Sequence, residues 1–434
     1  MVSGLYDPAL GRAPQVGAAL QALSNQKARL PMKGGGLGQY SAVLLSPISF
    51  YAAYAHHASL DGGTRGRLLL TELAPTIRLL GDLLPQTVMD EDVVAAADLG
   101  LRRPVRKLQR DLTRAAHGLA RSRLLDSIPR TQFGVLDRRV LQHPTDAWLP
   151  FFVAPTSSDL VVEPNFFIAG LRFYLLLPQL LRRTAAPVVV DVSDAGSPDF
   201  SYEADKCRHC PPHHCDRHLA HAHACSASSK RKIWDRHEMV KRVRANMVRE
   251  AGYVDIVVEP RTSQQDQRRA DIFFVDRSAP TKHVHHYTDD CVAHPLCKTH
   301  IGCVGHSFDP EHRHGEAEDP TAAMKKMEAR KEASYSSQLL AARMHQSVLC
   351  GVRAVNYKTC SFSSLGAYGK GTVKCINGAA GLMKKRLAAE AQSSPRADGK
   401  AAKDVSGRFR FMCRARLQVA LMRGNGLLAT SVGI

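Results

Sequence analysis

Hydrophobic residues recur at three- and four-residue spacing through much of the N-terminal half of this 434-residue chain. The runs LLLTELAPTIRLLGDLL (68–84) and VRKLQRDLTRAAHGLARSRLLDSI (105–128) follow this spacing, which places apolar side chains on one face of a helix. The run PMKGGGLGQYSAV (31–43) interrupts it. Because no GKS or GKT follows its glycines, a turn is favoured there over a phosphate-binding loop. We therefore predict a helical region over residues 1–200.

After residue 233 the pattern alternates between helical and strand-like periods. Helices are predicted at 234–252, 321–344 and 370–391, and strand-like runs at 254–260, 270–276, 286–295 and 353–362. Gly252 stands where the first of these helices would end. Beyond 392 the chain is basic and of low predicted order, apart from a short helical run, RLQVALMRG (416–424). The order helix, strand, strand, strand, helix, strand predicts an α+β fold.

Charge makes a polyanion the expected partner. Lysine and arginine number 59 against 40 acidic residues, which gives a net charge of +19. Such an excess attracts nucleic acid, although a basic surface without any partner would have the same composition. The longest apolar stretch, residues 160–181, is interrupted by Glu163, Pro164, Arg172 and Pro178. We therefore expect no membrane span and no membrane partner.

Cysteine usage points to a reducing compartment. All 11 cysteines lie at or beyond Cys207, and no secretory signal is visible at the start of the chain. An odd number of cysteines clustered with histidines favours free thiols and metal binding over disulfides. We expect a nuclear or cytoplasmic location.

The segment CRHCPPHHCDRHLAHAHAC (207–225) is the densest group of metal-binding side chains in the chain. A structural zinc takes four thiolate or imidazole ligands, often with one pair at C-x2-C spacing. Cys207 and Cys210 supply that pair, and His221 with Cys225 supplies an H-x3-C pair on one face of a helical turn. Rival ligands are Cys215, His218 and His223. We predict one structural zinc here.

A second group of soft ligands follows at C-x2-H-x2-C-x2-H spacing. It comprises Cys297, His300, Cys303 and His306. Its central gap is short for a chain that must wrap around a tetrahedral ion. A second zinc therefore remains an alternative to a single one.

Three acidic residues fall at the ends of, or within, successive strand-like runs. They are Glu259, Asp271 and Asp289. Acids on neighbouring strands can face each other with Cβ atoms about 5 Å apart. Carboxylates at that separation suit Mg2+, which prefers them together with water and phosphate oxygens. The alternative is that these acids are solvated strand ends.

Several short motifs stand in a fixed order along this part of the chain. They are C-x2-C, H-x3-C, an RH pair that opens a helix (236–237), AGY (251–253), VVEP (257–260), RAD (269–271), D-x4-HP (289–295) and K-x3-Y (331–335). That order resembles the C-terminal region of non-LTR retroelement (reverse-transcriptase-like) proteins. The resemblance covers about residues 30–370. In that family a zinc knuckle precedes a restriction-like endonuclease of the PD-(D/E)xK class, whose core has the order helix, three strands, helix, strand.

The resemblance implies four regions. Residues 1–200 would be a thumb-like or connector region, 201–232 the Cys/His zinc knuckle, 233–375 the restriction-like endonuclease domain, and 376–434 a basic tail that is helical or disordered. The implied function is DNA binding with Mg2+-dependent strand nicking, or a degenerate remnant of that activity. DNA is the implied partner, with the element's RNA as a second.

The same resemblance assigns roles to individual residues. Asp271 and Asp289 would hold Mg2+, with Glu259 assisting. The lysine that normally follows the second acid by two residues is Cys291 here. Lys331, on the following helix, would place its ammonium group in the same site.

The chain departs from the family elsewhere too. Ala270 stands where the family has the proline of its proline-aspartate pair, and the histidine-rich stretch KHVHH (282–286) lengthens the gap between the two acids. No YADD-like pair of aspartates stands ahead of residue 30. We therefore expect no reverse transcription by this chain.

Basic residues between the knuckle and the predicted catalytic region would contact phosphates. They are Lys230, Arg231, Lys232, Arg236 and His237. A non-catalytic, zinc-containing nucleic-acid-binding protein is the alternative function. A histidine-rich metal-storage protein is a third interpretation, and it predicts several metals per chain and no affinity for DNA.

Overall fold

The computed structural model describes the chain at residues 18–31, 36–37, 48–49, 108–128, 132–142, 146–177, 188–190, 202–204, 207, 209–210, 220–225, 229–260, 270–278, 283–296, 321–349, 352–392 and 399–433. The helix predicted at 68–84, most of the turn at 31–43 and the second Cys/His group at 297–306 lie outside these residues. So do two of the rival zinc ligands, Cys215 and His218.

The chain divides into two compact units, Ala22–Arg130 on one hand and Met1–Gln21 with Thr131–Ile434 on the other. The point of division in the sequence, between Gln21 and Ala22, falls within helix α1 (Ala18–Arg29). Helix α2 (Leu108–Ser127) belongs to the smaller unit. Helix α2 confirms the prediction at 105–128. It buries Leu112, Ala116 and Leu124, whose spacing places them along one side of the helix.

The larger unit is a mixture of helices and strands, which confirms the predicted α+β class. Its elements are α3 (Gln132–Gln142), α4 (Pro164–Tyr174), β1 (Val188–Val190), β2 (Tyr202–Ala204), α5 (Ala220–Ala224), α6 (Ser229–Ala251), β3 (Val254–Val258), β4 (Ile272–Asp276), β5 (His283–Ala293), α7 (Ala322–Leu349), β6 (Val352–Ser363), α8 (Lys370–Gln392) and α9 (Gly399–Gly433). The elements predicted between 234 and 391 are present, with ends shifted by a few residues. Helix α6 ends where predicted, because Gly252 adopts a φ of 94°.

Four of the strands form one mixed sheet in the order β3-β4-β5-β6. The pairs β3/β4 and β4/β5 are antiparallel, whereas β5 and β6 run parallel. A parallel pair needs a long crossover connection, and α7 lies within the one between β5 and β6. Strands β1 and β2 form a separate antiparallel pair.

Helices cover both faces of the sheet. Helices α6, α8 and α9 pack on one face, which we call the α6 face, and α7 packs on the other, the α7 face. The α6 face holds the main core, to which Val240, Val248, Ile272, Phe274, Phe362, Ile376 and Leu417 contribute. Side chains alternate between the faces along each strand. Ile272 and Phe274 therefore belong to the α6 face, and Phe273 to the α7 face.

Helix α9 is much longer than the predicted run at 416–424. It spans 35 residues and packs on α6, α8 and α4. The predicted run ended at Gly424, but in the structure Gly424 and Gly426 both lie within α9 and serve packing. A Cβ on Gly424 would overlap the Arg236 side chain, and one on Gly426 would overlap Phe166. The glycines thus permit close approach between helices rather than ending one. Over the described part of the chain, no helix is both long and apolar enough to cross a membrane.

Candidate metal centre and carboxylate site

Cys207, Cys210, His221 and Cys225 form a Cys3His cluster. Their ligand atoms all lie within 4.8 Å of one another. The Sγ atom of Cys225 is 3.9 Å from that of Cys207 and 3.7 Å from that of Cys210. Two sulfurs bound to one tetrahedral zinc at about 2.3 Å are about 3.8 Å apart. The cluster therefore fits zinc in both ligand type and spacing.

The short helix α5 determines which of its histidines belongs to the cluster. His221 turns toward the thiols, whereas the ring of His223 stacks on His294 with ring centroids 3.8 Å apart. Nη1 of Arg236 donates a hydrogen bond to Nδ1 of His223 at 3.1 Å. Burial, followed by the charges of His294 and Arg236, lowers the pKa of His223 well below its usual value. His223 is thus a partly buried packing residue.

Arg236 lies in the interior, contrary to its predicted contact with phosphate. Its side chain is 2% exposed, and its Nη1 also donates to Oδ1 of Asn425 on α9 at 3.0 Å. Burial lowers the pKa of Arg236 to about 9. The physical reason is helix packing: Gly424 leaves room for the arginine between α6 and α9. Arg236 therefore connects α6 to α9 through Asn425. Through His223 it also connects α6 to α5, the helix that carries His221 of the Cys3His cluster.

The two predicted metal-binding acids lie side by side, Asp271 directly before β4 and Asp289 within β5. Ile272 pairs with Thr288 in the antiparallel register of β4 and β5. One residue further on, the register places Asp271 opposite Asp289, and the N–H of Asp271 donates to the carbonyl of Thr288 at 2.9 Å. Each carboxyl group shifts the pKa of the other, as expected for two acids placed close together. Both residues are buried.

Asp271 is surrounded by hydrogen-bond donors. Nε2 of His237, on α6, lies 3.0 Å from its Oδ1, and the backbone N–H of Asp290 donates to its Oδ2. Burial alone would raise the pKa of Asp271, but the hydrogen bonds from His237, Asp289 and Asp290 together lower it below its usual value. Asp271 is thus the carboxylate that keeps its charge.

Asp289 has the opposite environment. Burial, then the hydrogen bond with Asp271 and its negative charge, raises the pKa of Asp289. Nζ of Lys331 donates to Oδ2 of Asp289 at 2.7 Å, and the hydroxyl of Tyr357 donates to the same oxygen at 3.2 Å. Two carboxyl groups so close cannot both be charged at low cost, which is why their pKa values shift in opposite directions.

Lys331 lies on α7 and donates to Asp289 from there, whereas the resemblance drawn from the sequence expects a lysine two residues after the second acid. The Asp289 and Cys291 side chains share the α7 face, since they stand two positions apart on β5. Cys291 is buried, and its thiol and the Lys331 ammonium influence each other electrostatically. Burial would lower the pKa of Lys331, but the charge and hydrogen bond of Asp289 raise it overall.

Glu259 lies at the border of this site and is turned away from the acid pair. Its backbone N–H donates to the carbonyl of Asp271 at 2.8 Å, and its φ is 55°. The carboxylate is 42% exposed and lies 2.6 Å from Nζ of Lys241. Lys241 also pairs with Glu238. Glu259 therefore neutralises a buried lysine.

Of the remaining predicted phosphate contacts, Arg231 is exposed, and Lys232 pairs with Asp235 at 3.6 Å. Lys230 begins the helix, but its side chain lies outside the described atoms. His237, which was predicted to contact phosphate, contacts Asp271. In the sequence nothing distinguishes the two roles, because only the docking of α6 on the sheet brings His237 to the acid.

The sequence interpretation also missed Asp290. This residue points to the α6 face, where it forms a fully buried ion pair with Arg244. Arg244 donates in addition to the hydroxyl of Thr288 at 3.1 Å and to Sγ of Cys375 at 3.5 Å. A signal was available in the strand alternation, which sends neighbouring aspartates to opposite faces of β5.

A scan against protein-family models and a search of curated proteins found no match to this chain.

Proposed function

We propose that this chain binds DNA and nicks one of its strands with the help of Mg2+, as a retroelement-derived endonuclease of the restriction-like class. One observation carries the proposal. The strand register brings Asp271 opposite Asp289, and the Lys331 ammonium group lies 2.7 Å from Asp289. The order of elements from α6 to β6 supports the same class.

The donor set of Asp271 and Asp289 fits a divalent cation. Two buried carboxylates in contact repel each other unless a proton or a metal ion lies between them. Mg2+ prefers carboxylates supplemented by water and phosphate oxygens. When bound, it would activate a water and stabilise the charge that develops at the scissile phosphate.

The neighbouring side chains would orient the acids and the substrate. His237 holds one oxygen of Asp271, and Tyr357 holds one oxygen of Asp289. The Lys331 ammonium, whose pKa is raised, stays charged and would stabilise the negative charge on the phosphorane. Because the acids and these neighbours come from five separate parts of the chain, packing of α6 and α7 on the sheet is what positions them.

We further infer that the Cys3His cluster holds one structural zinc. Four protein ligands close the coordination shell and leave no position for a substrate. Helix α5 packs on both α6 and α9, and His223 extends that contact to His294. Zinc would thus tie the segment 207–225 to the helices that support the acid pair.

DNA is the partner that the charge of the chain favours, with RNA as a second polyanion. The net charge is +19. The cysteines of the described segments are free thiols, as expected in a nuclear or cytoplasmic compartment. Affinity for DNA should weaken with salt, with log affinity falling by about 0.9 per phosphate neutralised for each unit of log salt.

Nicking of supercoiled plasmid by the purified full chain, with Mg2+ or with EDTA, tests the proposal. Asp271→Asn and Asp289→Asn should each abolish nicking but leave DNA binding intact, since an amide keeps the size and loses the charge that anchors the cation. Asp255→Asn is the matched control, because Asp255 is an exposed aspartate on β3 paired with Arg277. Equal loss of nicking in all three variants would contradict the assignment.

The second candidate function is non-catalytic binding of nucleic acid through a zinc-containing domain. Two observations favour it: Cys291 occupies the strand position of the expected lysine, and Glu259 is engaged with Lys241. A wild-type protein that binds DNA but does not nick it with Mg2+ or Mn2+ would select this candidate.

A further inference from the structure

Trp234 is an exposed aromatic residue close to the acid pair. Its side chain is 57% exposed, and it lies on α6, three residues before His237. That spacing is nearly one turn, so the indole lies about 4.5 Å along the helix axis from the residue that contacts Asp271. A large apolar group at the rim of a polar site is a typical surface for binding a flat apolar partner.

Two exposed arginines continue the same side of the helix. Arg242 and Arg249 follow Trp234 at intervals of eight and seven residues, which keep all three on one side. From Trp234 to Arg249 the helix rises about 22 Å, the length of several stacked nucleotides. Between α6 and the end of β3 lies an open cavity of 510 Å³, lined in part by Arg242, Asn246 and Arg249.

The charge along this side of the helix is positive. The cavity also contains the carboxylates of Glu238 and Glu259, but both pair with the buried ammonium of Lys241. Arg242 and Arg249 are exposed to solvent, and Arg249 donates to Asn246 at 2.7 Å within the helix. An aromatic platform followed by arginines matches a nucleic-acid strand, whose flat bases alternate with phosphates along its length.

We propose that a single strand of nucleic acid lies along α6, with an unpaired base stacked on the Trp234 indole and phosphates beside Arg242 and Arg249. The inference rests on the proposed function, because this path leads the backbone past His237 to the acid pair. Stacking tolerates every base, since each has a π-face. The strand would therefore be positioned by shape and charge rather than by sequence.

The tryptophan content of the chain permits a direct test. There are two tryptophans, Trp148 and Trp234, so the full-length Trp148→Phe variant reports Trp234 alone. It is titrated with labelled oligothymidylate in EDTA, following both tryptophan emission and label anisotropy. We expect quenching that saturates together with the anisotropy, and weaker quenching with a fully paired duplex of equal length.

Substitutions then measure how much the stacking contributes to affinity. Trp234→Ala should weaken binding of the oligonucleotide by about tenfold or more, as expected for loss of one base–aromatic contact. Trp234→Phe should retain most of the affinity. Phe411→Ala, which removes an exposed aromatic residue on α9, is the control and should bind like the wild type.

The outcomes separate this inference from the proposed function. One outcome would overturn the stacking alone. In it the oligonucleotide binds normally, Trp234 emission does not change, and Trp234→Ala binds as tightly as the wild type. Quenching without any plasmid nicking would retain the stacking and overturn the chemistry. No binding at low salt would overturn both. A change in Trp234 emission with protein concentration alone, without nucleic acid, would show that a second copy covers the indole, and would also overturn the proposal.

Discussion

The Cys3His cluster and the carboxylate site both lie against α6, yet they are assembled in opposite ways. The cluster draws its four ligands from one stretch of chain between 207 and 225. The carboxylate site draws on β4, β5, α7 and β6, elements separated by long stretches of chain. Local spacing organises the first, and tertiary packing organises the second.

The difference concerns what each region needs in order to form. The described residues of the cluster bury little apolar surface besides Ala222. Its thiols also disfavour one another's ionisation: the hydrogen bond with Cys225, then burial, raises the pKa of Cys210 to about 11. The acids stand on a sheet whose other face is a closed apolar core. We infer that the cluster depends on its metal for folding, whereas the carboxylate site depends on a metal only for chemistry.

The largest expected effect is therefore the loss of zinc. The double variant Cys207→Ser, Cys210→Ser should lose the metal and with it most of the roughly 10–16 kcal/mol of apparent binding energy that such sites contribute to folding. Metal analysis and hydrogen exchange across 220–225 and β4 measure the effect. We expect exchange to rise much more in α5 than in β4. Unchanged zinc content would show that the ligand set is wrong.

Two histidines on α5 give this experiment a matched control. His221→Ala removes a ligand and should weaken zinc binding. His223→Ala removes the stacking on His294 and the hydrogen bond from Arg236, but no ligand, so zinc should stay bound. If both variants lost zinc equally, either substitution would disrupt α5 as a whole. The experiment would then not distinguish His221 from His223 as the zinc ligand.

How far the sequence predicts each region follows from the same difference. The C-x2-C and H-x3-C spacings identified the four residues that the structure brings together, because their proximity is local. Strand alternation likewise predicted strands that carry Asp271 and Asp289. The full length of α9 was missed, because Gly424 looks like a helix end in the sequence. Its role, leaving room for the Arg236 side chain, exists only once α6 and α9 have packed together.

The roles of neighbouring residues were the least predictable part. Arg236 and His237 are adjacent, and both had been predicted to contact phosphate. A rotation of about 100° per residue turns the first into the core and the second toward Asp271. Helical periodicity gives the directions of side chains relative to one another. Which side chain faces the core also depends on how the helix is oriented on its neighbours.

The second prediction compares the adjacent residues Asp289 and Asp290. It tests whether the sheet that carries the acids is stabilised by its own core rather than by a metal ion. Asp290→Ala leaves the fully buried Arg244 without its partner and should cost about 3–5 kcal/mol in the free energy of unfolding. Asp289→Asn should change that free energy little, because burial and Asp271 already disfavour the charge of Asp289, and this offsets the loss of its ion pair with Lys331. Urea denaturation measures both. A larger loss for Asp289→Asn would reverse our assignment of the two faces.

A third prediction concerns the lysine and has a smaller effect, confined to the rate. Lys331→Ala should slow nicking by about 100-fold, the usual effect of removing one preorganised charge from a reacting phosphate or carbonyl group. Adding Cys291→Lys should restore part of the rate, because Cys291 borders the position of the Lys331 ammonium. Single-turnover cleavage measures the rate, and plasmid binding serves as the control. A double variant slower than Lys331→Ala alone would show that the two positions are not equivalent.

The smallest effect is expected at the start of α6, between the two regions. Arg231 is exposed, so Arg231→Ala should remove one phosphate contact and reduce the slope of log affinity against log salt by about 0.9, with no change in stability. Arg236→Ala should leave the salt slope unchanged and lower the free energy of unfolding. The side chain is buried, and its loss leaves Asn425 and His223 without the hydrogen bonds that it donates. Salt titration of DNA binding, together with urea denaturation, distinguishes the two. If Arg236→Ala lowered the salt slope while the free energy of unfolding stayed unchanged, α6 and α9 would have to separate when DNA binds.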